Sequence, residues 1–150
     1  MDISKKITKI IEELLLNRAL QNRADAMPII AIYLFGSFAE GRERQRSDID
    51  LAFVFSEKFY KKDPFRSLQE AELLSMEISK KIGKPVDVII LNSTSLSFAF
   101  HTLKKTVCLY EKSTVDRILY EIKVQNKYED FMPFIKDLRD SKRERLLGRN

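Results

Sequence analysis

The sequence predicts an α+β domain, a small mixed β-sheet flanked by helices. Three observations predict it. Helical and strand patterns follow one another in the order helix, strand, helix start, strand, helix, strand, then helices. A continuous apolar run with β-branched and aromatic members, Ile29 to Phe35, reads as a buried strand stopped by Gly36. No repeat and no Gly/Ser/Pro-rich linker divides the 150 residues, of which 44% are hydrophobic, so residues 1–150 read as one domain with one core.

The first helix comes from a stripe at Ile7, Ile10, Ile11, Leu14, Leu15 and Ala19, which ends before Met27-Pro28. After the Ile29–Phe35 strand, the wholly polar stretch 41–47 is a loop. Asp48 to Phe55 alternates, with Ile49, Leu51, Phe53 and Phe55 on one face and Asp48, Asp50, Ala52 and Val54 on the other. Phe65 to Ile82 is helical, and Gly83 stands where a C-terminal cap is wanted before Pro85. Val86 to Leu91 is a third strand, Ser95 to Leu103 a short helix and Thr106 to Tyr110 a short edge strand. Residues 114–150 form a helical, basic extension with an expected break near Pro133.

Composition bounds the function. Charged residues reach 33% and the formal charge is +5, with a pI of about 9.3, which suits an anionic partner. One cysteine, Cys108, forbids an intramolecular disulfide, and the chain reads as cytoplasmic. With one His and one Cys, zinc sites built on His/Cys clusters are excluded. The N-terminus is amphipathic and no run of 18 apolar residues occurs, so neither signal peptide nor membrane span is expected. Cys108 reads as a small buried hydrophobe and His101 as a packed or surface residue.

The chemistry concentrates in residues 36–50, GSFAEGRERQRSDID. Asp48 and Asp50 are same-face neighbours on a strand, about 6.5–7 Å apart, so their carboxylates converge on one volume. Paired carboxylates repel, and a shared hard cation such as magnesium relieves the repulsion. Two such ions can hold the attacking and leaving oxygens of a phosphoryl or nucleotidyl transfer. Gly36 and Ser37, at a strand-to-helix junction, offer backbone N–H groups and a hydroxyl to a phosphate chain. Asp87 lies in the otherwise apolar strand PVDVIIL; beside the Asp48–Asp50 strand it could ligate a metal and accept the proton of an attacking hydroxyl.

Blander explanations compete. Ser37 with Glu40 also spells a capping box. Asp-x-Asp alone is weak. Arg42-Glu43 stands where a P-loop needs Lys-Ser/Thr, and Ala52-Phe53 breaks a calcium loop. Gly-Ser and Asp-x-Asp at one fixed spacing should arise by chance in only on the order of 0.2% of chains this long, so the joint pattern carries the weight.

Gly36-Ser37, a ten-residue gap, Asp48-Ile49-Asp50 and Asp87 in a later strand together resemble the signature of the DNA polymerase β-like nucleotidyltransferases. Within them, the short length and the stretch GSFAEG…SDIDLAFVF are similar to the minimal nucleotidyltransferase (MNT) antitoxins of HEPN–MNT toxin–antitoxin pairs. The resemblance covers residues 28–112. It implies the polymerase β-like fold, with Gly36 and Ser37 holding the triphosphate of ATP. Asp48 and Asp50 would bind two magnesium ions, while Asp87 would share one ion and activate the acceptor. The implied reaction moves AMP onto a tyrosine of a cognate HEPN ribonuclease toxin, with which the chain would form a hetero-oligomer. One departure stands out: many relatives carry a basic residue where this chain has Phe38-Ala39-Glu40, and Arg42 is the nearest substitute. No Arg stands five to seven residues before His101, so the Arg-(x4–6)-His pattern of HEPN ribonucleases is absent.

Chain length points the same way, since a core of this size leaves little for a second-substrate pocket. An acceptor protein that docks on the C-terminal helix would supply its own surface. The basic loop Arg42, Arg44 and Arg46 is either solvated or an electrostatic aid to the triphosphate. Two alternatives stay open: a non-catalytic antitoxin that acts by occlusion, and a nucleotidyltransferase acting on a small molecule or RNA, of which RNA binding is not favoured.

Overall fold

Seven apolar residues in a row give a strand that needs cover on both faces, and Ile29–Phe35 (β1) occupies an interior position of the sheet. The computed structural model describes residues 2–20, 28–44 and 46–148. Its four strands run in the order β3 (Val86–Ile90), β2 (Ile49–Phe55), β1 and β4 (Val107–Glu111). β1 is antiparallel to β2 and β4, and β2 is parallel to β3, so the sheet is mixed as the sequence predicts.

The parallel pair requires a crossover, supplied by α3 (Glu57–Lys62) and α4 (Pro64–Ile82). Asp63 caps α4, accepting from Arg66 N at 3.0 Å, and Pro64 sits in the first turn. Gly83 ends the helix in the left-handed region at φ 77°, in the role expected of it. The six-residue α3 escapes the periodicity argument, being too short to show a stripe. Its local sign is Ser56, whose hydroxyl accepts from Phe59 N.

The alternation along β2 separates two cores rather than a core from solvent. Ile49, Leu51, Phe53 and Phe55 pack with Ile7 and Ile11 of α1 (Ile3–Leu20) and with Leu74 and Ile78 of α4. On the other face, Ala52 and Val54 pack with Ala31, Tyr33, Ala99 of α5 (Leu96–Leu103) and Val124 of α6 (Thr114–Leu146). At the far end of β2, Asn92 donates to Phe55 O and accepts from Phe55 N, both at 2.9 Å, and so closes the strand.

Two expectations fail here. Cys108 is exposed rather than buried, because β4 is an edge strand with one neighbour. Pro133 does not break the last helix: α6 runs 33 residues through it, roughly 50 Å. Pro133 lies on an exposed turn, where water can solvate the carbonyl of residue 129 that loses its donor. No described helix is long and apolar enough to cross a membrane.

α6 is tied to the sheet by a polar clamp. Tyr33, 1% exposed, donates to Glu121 Oε1 at 2.7 Å. Arg117 donates to both oxygens of Glu121, at 2.9 and 3.0 Å, and to Glu111 at the end of β4. Burial first, then Glu121, pushes the Tyr33 phenol far above its ordinary range, so it remains a neutral donor. Tyr33→Phe deletes the donor while keeping the ring. It should cost about 1–2 kcal/mol in urea unfolding with the fold unchanged; a loss under a few tenths would show that Arg117 alone holds the clamp.

Candidate active site

β1 ends at Phe35 and the chain turns at once through Gly36, at φ 73°, into the single turn α2 (Gly36–Ala39). In the ladder Phe35 faces Asp50, and Asp50 in turn faces Asp87 on β3. Neighbouring strands lie about 4.8 Å apart, so Asp50 and Asp87 project side by side. Asp48, two residues earlier, joins them at the mouth of the sheet. All three predicted acids therefore share one end of the strands, and the parallel β2–β3 pairing that this needed is present.

Gly36 and Asp50 are fitted to each other. A Cβ built on Gly36 would overlap Asp50 Oδ2 and stand 3.1 Å from its Cγ, and the positive φ independently favours glycine. Predicted nucleotide-binding and predicted metal-binding residues thus meet at one point.

The electrostatics are uneven. Asp50 is half-buried, whereas Asp48 and Asp87 are exposed. The Asp50 carboxyl is raised above the usual aspartate range, by burial first, then by Asp87 and then by Asp48. Asp87, on an edge strand, avoids the desolvation cost that its apolar neighbours in sequence imply. Among the described residues, no three His, Cys, Asp or Glu groups form a ready-made metal cage. Asp48, Asp50 and Asp87 offer only hard carboxylate oxygens, the donor type that magnesium takes and soft metals do not.

The capping box does not form. Phe35 is the N-cap residue of α2 and Ser37 lies inside the turn, its hydroxyl unbonded to any described residue. Glu40 instead binds Arg42 at 2.7 Å, with Lys105 at 3.9 Å. Arg42 N also donates to Ser37 O at 2.9 Å, pinning the basic loop to the turn. Lys105 had no motif to announce it. It arrives through topology, since antiparallel pairing of β4 with β1 brings the start of β4 beside Leu34. His101 takes no part: it meets Tyr128 Oη at 3.3 Å on the α5–α6 surface.

Two outcomes follow. Gly36→Ala should displace the Asp50 carboxylate and destabilise the fold by roughly 1–2 kcal/mol through the left-handed φ; a crystal structure with Asp50 unmoved would refute the coupling. Asp50 holds its proton more tightly folded than unfolded, so its contribution to stability declines as pH rises from about 4 through its raised value. Asp50→Asn should therefore melt higher than the parent at neutral pH, by about 2–4 °C per kcal/mol of repulsion removed, with the gap closing in acid. An equal or lower melting temperature at pH 7 would contradict this.

Residues 16–115 match the family described as polymerase beta, nucleotidyltransferase, and α6 lies almost wholly beyond the match. No protein of curated function matches the chain. The fold is similar to that of a solved toxin–antitoxin with AMP-PNP, at a TM-score of 0.56 and 20% identity over 83% of this chain and 95% of that one. It is also similar to a chain of a Shewanella oneidensis complex of tri-AMPylated HEPN toxin with MNT antitoxin (TM-score 0.51, 20% identity, 86% and 96% covered). A third is the toxin–antitoxin MntA–HepT (TM-score 0.51, 20% identity, 86% and 97%). With the family matched across residues 16–115 and its acids and glycine turn assembled at one sheet end, this chain belongs to the polymerase β nucleotidyltransferases.

Proposed function

We propose that the protein is a magnesium-dependent antitoxin that transfers AMP from ATP to a tyrosine hydroxyl of a cognate HEPN toxin in the cytoplasm. The observation that carries this is the contact of Gly36 with Asp50, which joins a phosphate turn to a carboxylate cluster. The neighbours add support, since one complex holds AMP-PNP and another an AMPylated HEPN toxin.

In this reading Gly36 and Ser37 hold the triphosphate, and Ser37 has its hydroxyl available for it. Arg42 and Lys105, gathered by Glu40, supply the positive charge that Phe38-Ala39-Glu40 lacks. Asp48 and Asp50 hold two magnesium ions and Asp87 shares one. When bound, the metal polarises the α-phosphate and neutralises the leaving pyrophosphate. The acceptor oxygen bonds to the α-phosphorus as the bond to the bridging oxygen breaks. Asp87, exposed on its edge strand, takes the hydroxyl proton.

The acceptor docks on α6, where Val115, Ile118, Leu119 and Ile122 form an exposed apolar ridge. That ridge equally favours a second reading, in which the antitoxin inhibits by occlusion alone.

Labelled ATP, magnesium and the candidate toxin are incubated with the protein or with Asp48→Asn. Label on the toxin should fall by roughly 10²-fold or more in the variant, and Lys105→Ala should raise the KM for ATP several-fold. Full neutralisation by an unlabelling Asp48→Asn protein would instead establish occlusion.

A further inference from the structure

A cavity of about 600 Å³ opens between α3, α5 and α6, at the pole of the sheet opposite the glycine turn. That volume lies within the range of small-molecule sites. Ile30 and Phe55, at the ends of β1 and β2 remote from Gly36, line it. Phe55 stands five residues along β2 from Asp50, about 17 Å, so the cavity is separate from the nucleotide site. Its floor is apolar: Leu91, Ala99 and Val124 are buried, with Leu96 beside them.

The polar groups on its wall are chiefly donors without an acceptor. The hydroxyls of Tyr60 and Tyr120 and the ammonium of Lys127 have no hydrogen-bond or ion-pair partner among the described residues. Burial first, then Glu121, pushes the Tyr120 phenol above its ordinary range, so it stays a neutral donor. Lys61 and Lys123 share a single acid, Glu57, at 2.9 and 2.7 Å. Asn92 and Thr94 are bonded to the backbone of Phe55 and Leu91. Asp116 is the other acid of the lining, and it lies about 16 Å along α6 from Lys127. Three lysines against two acids leave one positive charge, and the distance of Asp116 puts it at the Lys123–Lys127 end. An apolar floor that ends in unspent donors and positive charge is complementary to an amphiphile with an anionic head.

We propose that this cavity binds a small amphiphilic anion, its aromatic or branched apolar body on Leu91, Leu96 and Ala99 and its carboxylate, sulfonate or phosphate head between Lys123 and Lys127. Tyr120, Lys123 and Lys127 are spaced three and four apart, so they present their donors to the head from one face of α6. Leu119 belongs both to the lining and to the apolar ridge of α6, so an occupant sits beside the surface on which an acceptor docks. The proposal does not depend on the proposed activity.

The probe is 8-anilinonaphthalene-1-sulfonate, an aromatic body with one sulfonate, titrated into the full chain and followed by fluorescence and calorimetry. The parent should bind about one equivalent with a Kd of roughly 10–100 µM, as suits a ligand of this size. Lys123→Gln with Lys127→Gln should weaken binding about tenfold or more. Uncharged N-phenyl-1-naphthylamine should bind the parent and that variant alike. Leu96→Trp, which fills the cavity, should abolish binding of the sulfonate. Phe134→Ser with Leu138→Ser, which changes exposed apolar side chains elsewhere, should leave it intact, with circular dichroism unchanged in every variant. Absence of saturable binding to the parent overturns the proposal. So does a lysine pair whose loss changes nothing, or binding that disappears with Phe134 and Leu138 rather than with Leu96→Trp. A parent that binds no probe, yet whose cavity receives a toxin side chain in a complex, assigns the cavity to the partner and likewise overturns it.

Discussion

Asp50 leans into the space that Gly36 leaves by having no side chain, and both ends of this contact are fixed by hydrogen-bonded backbone. Phe35, the residue before the glycine, is the ladder partner of Asp50, while Asp87 pairs with Asp50 from the other side. The placement of Gly36, Asp50 and Asp87 therefore follows from the registers of two β-ladders, β1–β2 and β2–β3. A slip of a single residue would turn Asp50 to the opposite face and bury it among the α1 and α4 side chains. The two cores guard against that slip, because Leu51 and Phe53 are sorted to one side and Ala52 and Val54 to the other.

The site is held together against its own electrostatics. Asp50 is partly withdrawn from water and faces two further carboxylates, and its raised proton affinity records the strain. A cation at this point would reverse the sign of the interaction, turning mutual repulsion into shared ligation. Asp50 and Asp87 lie on strands and Asp48 just ahead of β2, and no three acidic, His or Cys groups among the described residues are drawn together as a metal would need. Glu40 has a comparable part on the basic side: it holds Arg42 and Lys105 near the glycine turn.

Much of this was legible in the residues alone. The Ile29–Phe35 strand, the alternation of β2 and the glycine end of α4 are local signals, and each marks its element where the structure has it. Gly36, Ser37, Asp48 and Asp50 sit within one short stretch, so their convergence needed only two adjacent strands. What stayed hidden depends on long-range topology. Lys105 reaches the site because β4 pairs with β1, and no spacing in the sequence encodes that pairing. Cys108 looks like a core residue by type, yet its burial is decided by which strand lies at the edge. Pro133 is a helix breaker by rule, but the rule assumes that a lost hydrogen bond is not replaced by solvent. Asp87 looks misplaced in its apolar strand PVDVIIL, yet the edge position of that strand leaves it exposed.

The central claim is that Asp48, Asp50 and Asp87 become one divalent-metal site when a nucleoside triphosphate lies on the Gly36 turn. Manganese binding, followed by electron paramagnetic resonance with a non-hydrolysable ATP analogue present, addresses it directly. The account predicts about two ions per chain, neither retained tightly once Asp48 and Asp50 are both changed to Asn. Undiminished manganese binding by that double variant would contradict it.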